Sequence, residues 1–402
     1  MAKRSLATCA LTLAFVSLMA PSWAAGDPKR SLQWGLTKVR ADQAWSASKG
    51  SGVTIAILDS GIDLTHPDLK NKIVSHVTCI ETCTAGGDDD NGHGSHVAGI
   101  AAASTSNGIG IAGVAPAAKL MSVKVVGANG SGSCADIDLG VRWATDHGAD
   151  VINMSFGPDL TIDLLCGLQD AAEYAWSKGV VVVVAAGNNG LINLYGSDSL
   201  IVVGATGPND EPASYSNSGA DIYAPGGNRR SAPCSPDNCV YSTWKDGGYA
   251  SIEGTSMATP HISGIAALLL ARGYKNTQIL PRLRSTADDV DGILRVNAAR
   301  AVGSVAGTKT TKPRPSSGSG STRPSVTSPR GTTRTSPSGS PLPNGLSPMP
   351  VSTSSMRNPL ALQAAAPMPP SGPPSRTVYI SVATGFAMLA GAGIVGRLLR
   401  AH

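Results

Sequence analysis

The chain has 402 residues, of which 42% are apolar, so its length fits two or three domains and its composition excludes disorder throughout. The formal net charge of +5 is uneven, because residues 26–303 carry 20 Lys and Arg against all 27 Asp and Glu, whereas residues 304–376 carry eight basic residues and no acidic one. The basic character therefore belongs to the ends of the chain, which argues against nucleic-acid binding by the central part.

The first 25 residues have the organisation of a secretory signal peptide. Lys3 and Arg4 precede an apolar stretch over 6–20, and small residues near its end predict cleavage after Ala24. A membrane-spanning helix is the alternative, but the apolar stretch is short and Pro21 follows it. We therefore expect the mature chain to be exported.

Residues 26–303 alternate between apolar segments typical of strands and segments with helical periodicity. The predicted strands lack in–out alternation, which is typical of a mostly parallel sheet covered by helices on both faces. The predicted strands cover 53–58, 120–126, 151–154, 180–185 and 200–203, and the predicted helices cover 96–103, 135–146, 166–178 and 259–270. We expect a three-layer α/β fold in which functional residues gather at the carboxyl ends of the strands.

Six cysteines follow the leader, and export permits them to form disulfides. The sequence leaves fifteen pairings open, and we favour Cys79–Cys83, Cys234–Cys239 and Cys134–Cys166. A zinc site is the rival interpretation of the two short-spaced pairs. It is disfavoured because no second Cys or His pair lies nearby at ligand spacing.

The composition changes after residue 303. Residues 304–376 are dominated by Ser, Thr, Pro and Gly, which predicts a disordered, solvated linker. Residues 377–396 then form an apolar segment long enough for a transmembrane helix, and Arg397 and Arg400 begin a short cytoplasmic tail at 397–402. A buried or amphipathic helix is the alternative. The layout predicts a single-pass protein of the cell membrane with residues 26–303 on the extracellular side.

Three segments of the central part carry residues suited to chemistry: ILDSGID at 57–63, DNGHGSHVAGI at 90–100 and GTSMATPHISGIAALLL at 254–270. Taken singly, their Asp, His and Ser have ordinary structural interpretations as turn, helix-terminal and capping residues. Together and in this order they resemble the subtilisin-like serine proteases, the subtilase family, and the resemblance extends over nearly all of 27–303.

The resemblance implies a catalytic triad of Asp59, His93 and Ser256. Ser256 would be the nucleophile, His93 its general base and later acid, and Asp59 the carboxylate that orients the imidazole. Asn188, in the segment AAGN, would donate to the oxyanion of the tetrahedral intermediate together with the Ser256 backbone N–H. His96 follows His93 at a spacing that also occurs in metal sites, but the resemblance assigns it to helix packing.

The resemblance also implies two backbone edges that flank an extended peptide substrate. One edge is formed by Ser155, Phe156 and Gly157, and the other by Gly127, Ala128, Asn129 and Gly130, while Gly187 lines the pocket for the residue before the cleaved bond. These residues are mostly small or apolar, which favours a hydrophobic or broad preference, although Asp159 leaves a basic preference open. A Cys134–Cys166 bridge would stiffen the rim of a more distant pocket.

A structural Ca²⁺ ion is a further implication. The family positions correspond to the side chains of Asp68 and Asn107 and to the carbonyls of Thr105, Ile109 and Ile111, an all-oxygen set that suits Ca²⁺. Asp27 resembles an N-terminal ligand of thermitase-like members, but its spacing is one residue short. An ordinary Asn-Gly turn is the alternative. The run at 88–90 is interpreted as a solvated loop in preference to a second cation site.

We therefore predict a membrane-anchored serine endopeptidase that acts on polypeptides and is most simply a monomer. Its layout resembles the mycosin type of anchored subtilases, whereas its N-terminus is thermitase-like. Few residues separate the predicted signal cleavage from the catalytic domain, which leaves little room for the inhibitory prodomain of many secreted subtilases. The alternatives are a catalytically silent binding protein on the same fold and an esterase or peptide ligase using the same triad.

Overall fold

The computed structural model describes residues 26–156, 168–192, 197–230, 232–304 and 379–381. These residues belong to one unit, formed by 1–312 and 377–402. A second unit, 313–376, lies outside the described residues together with the predicted signal peptide and most of the linker and apolar segment.

A mostly parallel sheet forms the centre of the described part. Ten of its strands are joined in the order β12-β13-β9-β8-β7-β6-β1-β4-β2-β3, with antiparallel pairs only at the two ends, β12 with β13 and β2 with β3, within the residues described. These strands are β1 (Thr54–Asp59), β2 (Ile73–Ile80), β3 (Thr82–Ala85), β4 (Lys119–Lys124), β6 (Val151–Met154), β7 (Val181–Ala185), β8 (Ile201–Thr206), β9 (Ile222–Pro225), β12 (Asp288–Val290) and β13 (Ile293–Arg295). Two smaller sheets pair β10 (Val240–Trp244) with β11 (Gly248–Ile252) and β5 (Ser131–Ser133) with β14 (Tyr379–Ser381).

Helices lie on both faces of this sheet. A 3₁₀ turn (Arg30–Leu32) precedes α1 (Trp34–Lys38), α2 (Ala41–Ala44), α3 (His93–Ala102), α4 (Cys134–Asp146), α5 (Leu168–Ser177), α6 (Thr255–Leu270), α7 (Asn276–Thr286) and α8 (Ala298–Val302). The α4 helix begins with a capping box, in which Ser133 and Asp136 satisfy each other's backbone N–H groups.

The residues of β1 show how the sheet divides the core into two halves. Ile55 and Ile57 pack in the cluster that contains α3 and α6, whereas Ala56 and Leu58 pack in the cluster that contains α4 and α5. Since successive side chains of a strand point to opposite faces, a strand buried on both faces has no polar alternation. The predicted three-layer α/β fold with a mostly parallel sheet is thus confirmed in the described residues.

The structure extends two of the predicted helices toward their N-termini. The α3 helix begins at His93, three residues before the predicted start, and α6 begins at Thr255, four residues before it. Both helices start with polar residues, His93 in α3 and Thr255 and Ser256 in α6, so the apolar periodicity begins only after the helix has started. These two first turns carry the candidate catalytic residues.

Two of the predicted disulfides are present, Cys79–Cys83 and Cys234–Cys239. Cys134 is also disulfide-bonded, and its predicted partner Cys166 lies outside the described residues. The first bridge closes the tip of the β2–β3 hairpin, where the backbone N–H of Glu81 donates to Asp136 of α4 at 2.7 Å.

The predicted transmembrane helix at 377–396 is described only at Tyr379–Ser381, and these three residues form the strand β14 instead. This strand pairs antiparallel with β5, Ile380 opposite Gly132. The β-branched Val378 and Ile380 suit a strand as well as an apolar helix, so the composition of this part did not decide between them. Among the described helices, none combines the length and the hydrophobicity needed to cross a bilayer.

Candidate active site

The carboxylate of Asp59 and the ring of His93 form a buried pair at the carboxyl end of β1. Asp59 is the last residue of β1, and His93, with 3% of its surface exposed, is the first residue of α3. The Nδ1 of His93 lies 2.8 Å from Oδ1 and 3.0 Å from Oδ2 of Asp59. A carboxylate at Nδ1 fixes the tautomer, which leaves Nε2 as the ring atom that accepts a proton.

Opposing effects set the pKa of His93. Burial lowers this pKa, but the charge of Asp59, the hydrogen bond to it and the charge of Asp89 outweigh burial, so the pKa is raised above its usual value of 6.5. His96 is equally buried but has no carboxylate partner among the described residues, and burial together with the charge of His93 lowers its pKa to about 3. Of these two neighbouring histidines, only His93 has the properties of a base that works near neutral pH.

A second buried carboxylate, Asp89, holds the start of α3. Its Oδ2 accepts the backbone N–H and the hydroxyl of Ser95 at 2.8 and 2.6 Å. Its Oδ1 accepts the hydroxyl of Ser60 at 2.8 Å and the backbone N–H of Asn91 at 3.0 Å. With 8% of its surface exposed, Asp89 is not part of a solvated loop, so that interpretation of the sequence was wrong for this residue.

Ser256 is the second residue of α6 and is 7% exposed. Helices α3 and α6 pack against each other, and both begin at the edge of the sheet where its parallel strands end. The N-terminus of α6 also places the positive end of the helix dipole where negative charge would develop on an attacked carbonyl. The structure thus brings all three predicted triad residues to one edge.

The carbonyl of Ser256 has a side-chain partner in place of a helical one. In an α-helix it would accept the N–H of residue 260, but Pro260 has no N–H. The hydroxyl of Ser155 donates to this carbonyl at 2.8 Å and accepts Nδ2 of Asn153 at 2.8 Å. Ser155, predicted as part of a substrate edge, therefore also anchors the backbone of Ser256.

The amide of Asn188 is oriented by the residue before the serine. Its Oδ1 accepts the backbone N–H and the hydroxyl of Thr255 at 2.8 and 2.9 Å. Its Nδ2 makes no hydrogen bond within the described residues and is thus available as a donor. A methyl group placed at Gly254 would lie 3.6 Å from both this Nδ2 and the N of Ser256, so the two predicted oxyanion donors flank one point.

Asn217, which the sequence did not single out, supports the segment that carries Asn188. Its Nδ2 donates to the carbonyl of Ala186 at 2.9 Å, and its Oδ1 accepts the N–H groups of Asn189 and Leu191 at 3.2 and 3.0 Å. No motif around Asn217 signals this role, because it depends on a contact between residues far apart in the sequence.

The predicted edge at Gly127, Ala128, Asn129 and Gly130 is a turn. The N–H of Gly130 donates to the carbonyl of Gly127 at 2.9 Å, and Ala128 and Asn129 are exposed. Extended backbone begins only at β5, which pairs with β14. The small, polar residues of β5 have low strand propensity, which is why sequence patterning missed this strand.

The predicted pocket residues are described in part. Phe156 follows β6 and is 3% exposed, and Gly187 follows β7 with a left-handed φ of 103° that favours glycine. Gly157 and Asp159 lie outside the described residues.

A salt bridge lies next to the serine motif. Arg229 donates through its backbone N–H and its Nε to the carboxylate of Glu253, at 2.7 and 2.8 Å. Glu253 immediately precedes Gly254, and Arg229 precedes the short loop that the Cys234–Cys239 bridge closes. This contact also joins residues whose sequence positions gave no sign of it.

The predicted calcium residues are gathered around Asp68, which is fully buried. Its Oδ1 accepts Nδ2 of Asn107 at 3.0 Å, and its Oδ2 accepts the N–H of Ile111 at 3.0 Å and the hydroxyl of Tyr249 at 2.9 Å. The N–H of Ile109 donates to Oδ1 of Asn107 at 2.9 Å.

Asp27 joins the same loop from the N-terminal segment. Its carboxylate accepts the hydroxyl of Thr105 at 2.8 Å and the N–H groups of Ser106 and Asn107 at 3.0 and 3.2 Å. Within the described residues no three His, Cys, Asp or Glu form a metal-binding group, so a cation here would depend on amide and carbonyl oxygens as well as on two carboxylates. Such an all-oxygen set fits Ca²⁺.

His96 has a structural environment. Its Nε2 lies 3.1 Å from the carbonyls of both Val240 and Ala250, so it joins α3 to the β10–β11 hairpin. The predicted packing role is confirmed.

Comparisons with known proteins agree with this geometry. The model of the subtilase family matches residues 50–323. Thermitase from Thermoactinomyces vulgaris is 41% identical over 284 residues, which cover 68% of this chain and 96% of thermitase. Subtilisin Savinase from Lederbergia lenta is 43% identical over 269 residues, which cover 64% of this chain and 92% of the relative. Among solved structures, a protease from Pseudoalteromonas arctica superposes with a TM-score of 0.63 at 31% identity, covering 70% of this chain and 99% of that protease.

Proposed function

We propose that this chain, a serine endopeptidase that belongs to the subtilase family, cleaves peptide bonds with Ser256 as nucleophile, His93 as general base and acid, and Asp59 as the carboxylate that orients His93. The observation that carries the assignment of residues is the buried Asp59–His93 pair at 2.8 Å, together with the position of Ser256 in the first turn of α6. A serine hydroxyl needs such a base because it is a weak nucleophile at neutral pH.

The reaction proceeds in two halves. His93 Nε2 takes the hydroxyl proton as Oγ of Ser256 adds to the carbonyl carbon, and it gives this proton to the amine that leaves. The resulting ester of Ser256 is then attacked by water, whose proton passes to His93 and returns to Oγ as the acid product leaves. In both halves Asp59 stabilises the imidazolium form of His93.

The oxyanion of each tetrahedral intermediate is held by Nδ2 of Asn188 and the backbone N–H of Ser256. Both atoms lie 3.6 Å from the position that a methyl group on Gly254 would take, which supports this role. The Oδ1 of Asn188 is held by the backbone N–H of Thr255, and this contact fixes the orientation of Nδ2. Donors that are held in place before the reaction stabilise developing charge without reorganising.

The substrate is an extended polypeptide. At the residue before the cleaved bond, the enzyme has a hydrophobic or a broad preference. The apolar or small character of Phe156 and Gly187 beside Ser155 supports this preference. If the enzyme cleaved a peptide library mainly after basic residues, this preference would be contradicted.

A structural Ca²⁺ ion is held by the loop around Asn107, with Asp68 and Asp27 as its charged ligands and the carbonyls of Thr105, Ile109 and Ile111 as neutral ones. The convergence of three chain segments on this loop supports the site. The ion would join the N-terminal segment to the core and takes no part in the chemistry.

The enzyme is exported and held at the outer face of the cell membrane by residues 377–396, which requires Tyr379–Ser381 to leave the strand β14 for a spanning helix. The signal-like N-terminus and the uncharged length of this apolar segment support this location. Recovery of the full chain in the soluble fraction of disrupted cells would contradict it.

The decisive experiment measures hydrolysis of internally quenched peptides by the purified chain. Ser256→Ala is expected to lower kcat by about 10⁶-fold, as removal of the nucleophile does in subtilisin, whereas Ser46→Ala on the exposed surface is expected to leave it unchanged. An organophosphate reagent should label the parent chain at Ser256. Equal, trace hydrolysis by the parent and Ser256→Ala would instead favour a catalytically silent binding protein.

A further inference from the structure

A cationic pocket lies between the N-terminal helices and the end of the sheet that carries β13. It has a volume of about 630 Å³ and is lined among others by Trp34, Lys38, Arg40, Asp210 and Arg295. This volume lies in the range of sites for small organic ligands. None of the lining residues belongs to the candidate active site or to the candidate calcium loop.

The pocket carries an excess of positive charge. Three cations, Lys38, Arg40 and Arg295, face the single carboxylate of Asp210, which leaves two positive charges without a counterion in the lining. Asp288, behind Arg295, does not remove this excess because it also pairs with Arg300.

The guanidinium of Arg40 has no hydrogen bond or ion pair within the described residues. It is half-buried, and its backbone is held at a left-handed φ of 60° between α1 and α2. A non-glycine residue pays a conformational cost at such a φ, so the fold presents this side chain at the pocket in spite of that cost.

Arg295 and Asp210 add two buried polar atoms that make no hydrogen bond within the described residues. The Nε of Arg295 and the Oδ1 of Asp210 form an ion pair at 3.4 Å, but neither atom makes a hydrogen bond within the described residues. Only 6% of the surface of Arg295 is exposed. The rest of the Arg295 guanidinium is fixed by the carbonyl of Lys38 and by Asp288 at 2.7 Å. Buried donors are normally satisfied by hydrogen bonds, so the Nε of Arg295, which has only an ion pair with Asp210, keeps an unused donor at the wall of the cavity.

From these features we propose that the pocket binds a small organic phosphate. A phosphate group carries nearly two negative charges at neutral pH and three acceptor oxygens, which match the charge excess and the free donors of Arg40. The ring of Trp34, held by its Nε1 hydrogen bond to the carbonyl of Cys239 at 2.9 Å, provides a fixed apolar wall for the organic part. This proposal does not depend on the proteolytic reaction.

The test uses isothermal titration of the full chain carrying Ser256→Ala, which prevents self-digestion. The probes are inorganic phosphate and glycerol 3-phosphate, with chloride at matched ionic strength as the reference. Arg40→Gln is expected to weaken binding of both probes about tenfold, since it removes charge-assisted hydrogen bonds. The matched control is Arg230→Gln. Arg230 is exposed, also has a left-handed backbone, and its side chain makes no hydrogen bond or ion pair with any residue that the structure describes, so this variant should change affinity less than about twofold.

A second variant separates binding from misfolding. Asp210→Asn removes the carboxylate that opposes an anion while keeping a side chain that tolerates the left-handed φ of 70°, so it is expected to strengthen phosphate binding severalfold. Damage to the fold would weaken binding instead.

Three results would overturn the proposal. The first is no binding of either soluble phosphate by the parent, and the second is equal affinity of the parent, Arg40→Gln and Arg230→Gln for phosphate. The third is binding only to vesicles that contain phosphatidic acid, and not to either soluble phosphate or to phosphatidylcholine vesicles, which would assign the cations to a lipid headgroup in place of a small molecule.

Discussion

His93 owes its protonation state to two carboxylates at the edge of the sheet. Three histidines, His93, His96 and His261, are buried to a similar degree, yet burial lowers the pKa of His96 to about 3 and that of His261 to about 4. Only His93 lies at hydrogen-bond distance from a carboxylate among these three. The difference shows that the charge of Asp59, and not the degree of burial, selects the catalytic base.

The Asp59→Asn variant tests this selection. Replacing the carboxylate removes the main effect that raises the pKa of His93, so burial should then lower the pKa below 6.5. Because His93 must be neutral to act as a base, the acid limb of kcat/KM should move to lower pH, while kcat/KM at pH 8 falls by about 10⁴-fold. The measurement is the pH profile of peptide hydrolysis between pH 5 and pH 9.

The control is Asp138→Asn on the surface of α4, which should leave the profile unchanged. The raised pKa has a linked effect on stability: the Asp59–His93 pair contributes most below the unfolded pKa of 6.5, and the contribution is lost as pH rises through the folded pKa. An acid limb that stays in place or moves to higher pH in Asp59→Asn would show that another group sets the pKa of His93.

At the scale of elements, the sequence identified the strands of the sheet centre better than the beginnings of its helices. Strands such as β1 and β7 are apolar on both faces, and this pattern was visible without the structure. The first turns of α3 and α6 are polar and were placed too late because their stability comes from contacts across the fold. One such contact is the hydrogen bond from the Ser155 hydroxyl to the carbonyl of Ser256, which has no helical partner because residue 260 is proline. No local sequence pattern indicates this contact.

The three motifs allowed the triad and Asn188 to be named from the sequence because the resemblance supplies their roles residue by residue. The residues that support them were not found in this way. Asp89 was interpreted as solvated, and Asn217 was not considered, because each acts through hydrogen bonds to residues that only folding brings near. The support of a site is thus harder to predict than its reacting groups.

Asp89 provides a test at the start of α3. The carboxylate of Asp89 accepts five hydrogen bonds. The Asp89→Asn variant replaces one of its acceptor oxygens by an NH₂ donor, so it should lower the free energy of unfolding by about 1–3 kcal/mol. The matched control is Asp88→Asn, because within the described part of the chain the Asp88 side chain accepts one long hydrogen bond, from the N–H of Leu64 at 3.2 Å. Urea unfolding in the Ser256→Ala background gives both values. Equal stability of the two variants would remove Asp89 from its role as the support of α3.

At the scale of the whole molecule, charge and composition divide the chain along the predicted boundaries. The acidic residues lie within 26–303, and the helix α8 is capped by Gly303 in a left-handed conformation. Composition alone predicts a boundary near 303, since a segment rich in Ser, Thr and Pro offers little apolar surface to bury, and residues 305–376 lie outside the described ones. It was not sufficient for 377–396, where a run of small and β-branched residues suits more than one structure.

The loop around Asn107 is expected to connect stability to calcium. Addition of CaCl₂ to the Ser256→Ala chain should raise Tm by several degrees, because an ion that binds only the folded state at 100 times its Kd contributes about 2.7 kcal/mol. Asp68→Asn should abolish this rise, since it removes a buried charged ligand, and Asp246→Asn on the exposed surface should retain it. MgCl₂ should have little effect, because Mg²⁺ releases its water ligands reluctantly. Differential scanning calorimetry measures each Tm, and an equal rise in Asp68→Asn would place the calcium effect elsewhere in the molecule.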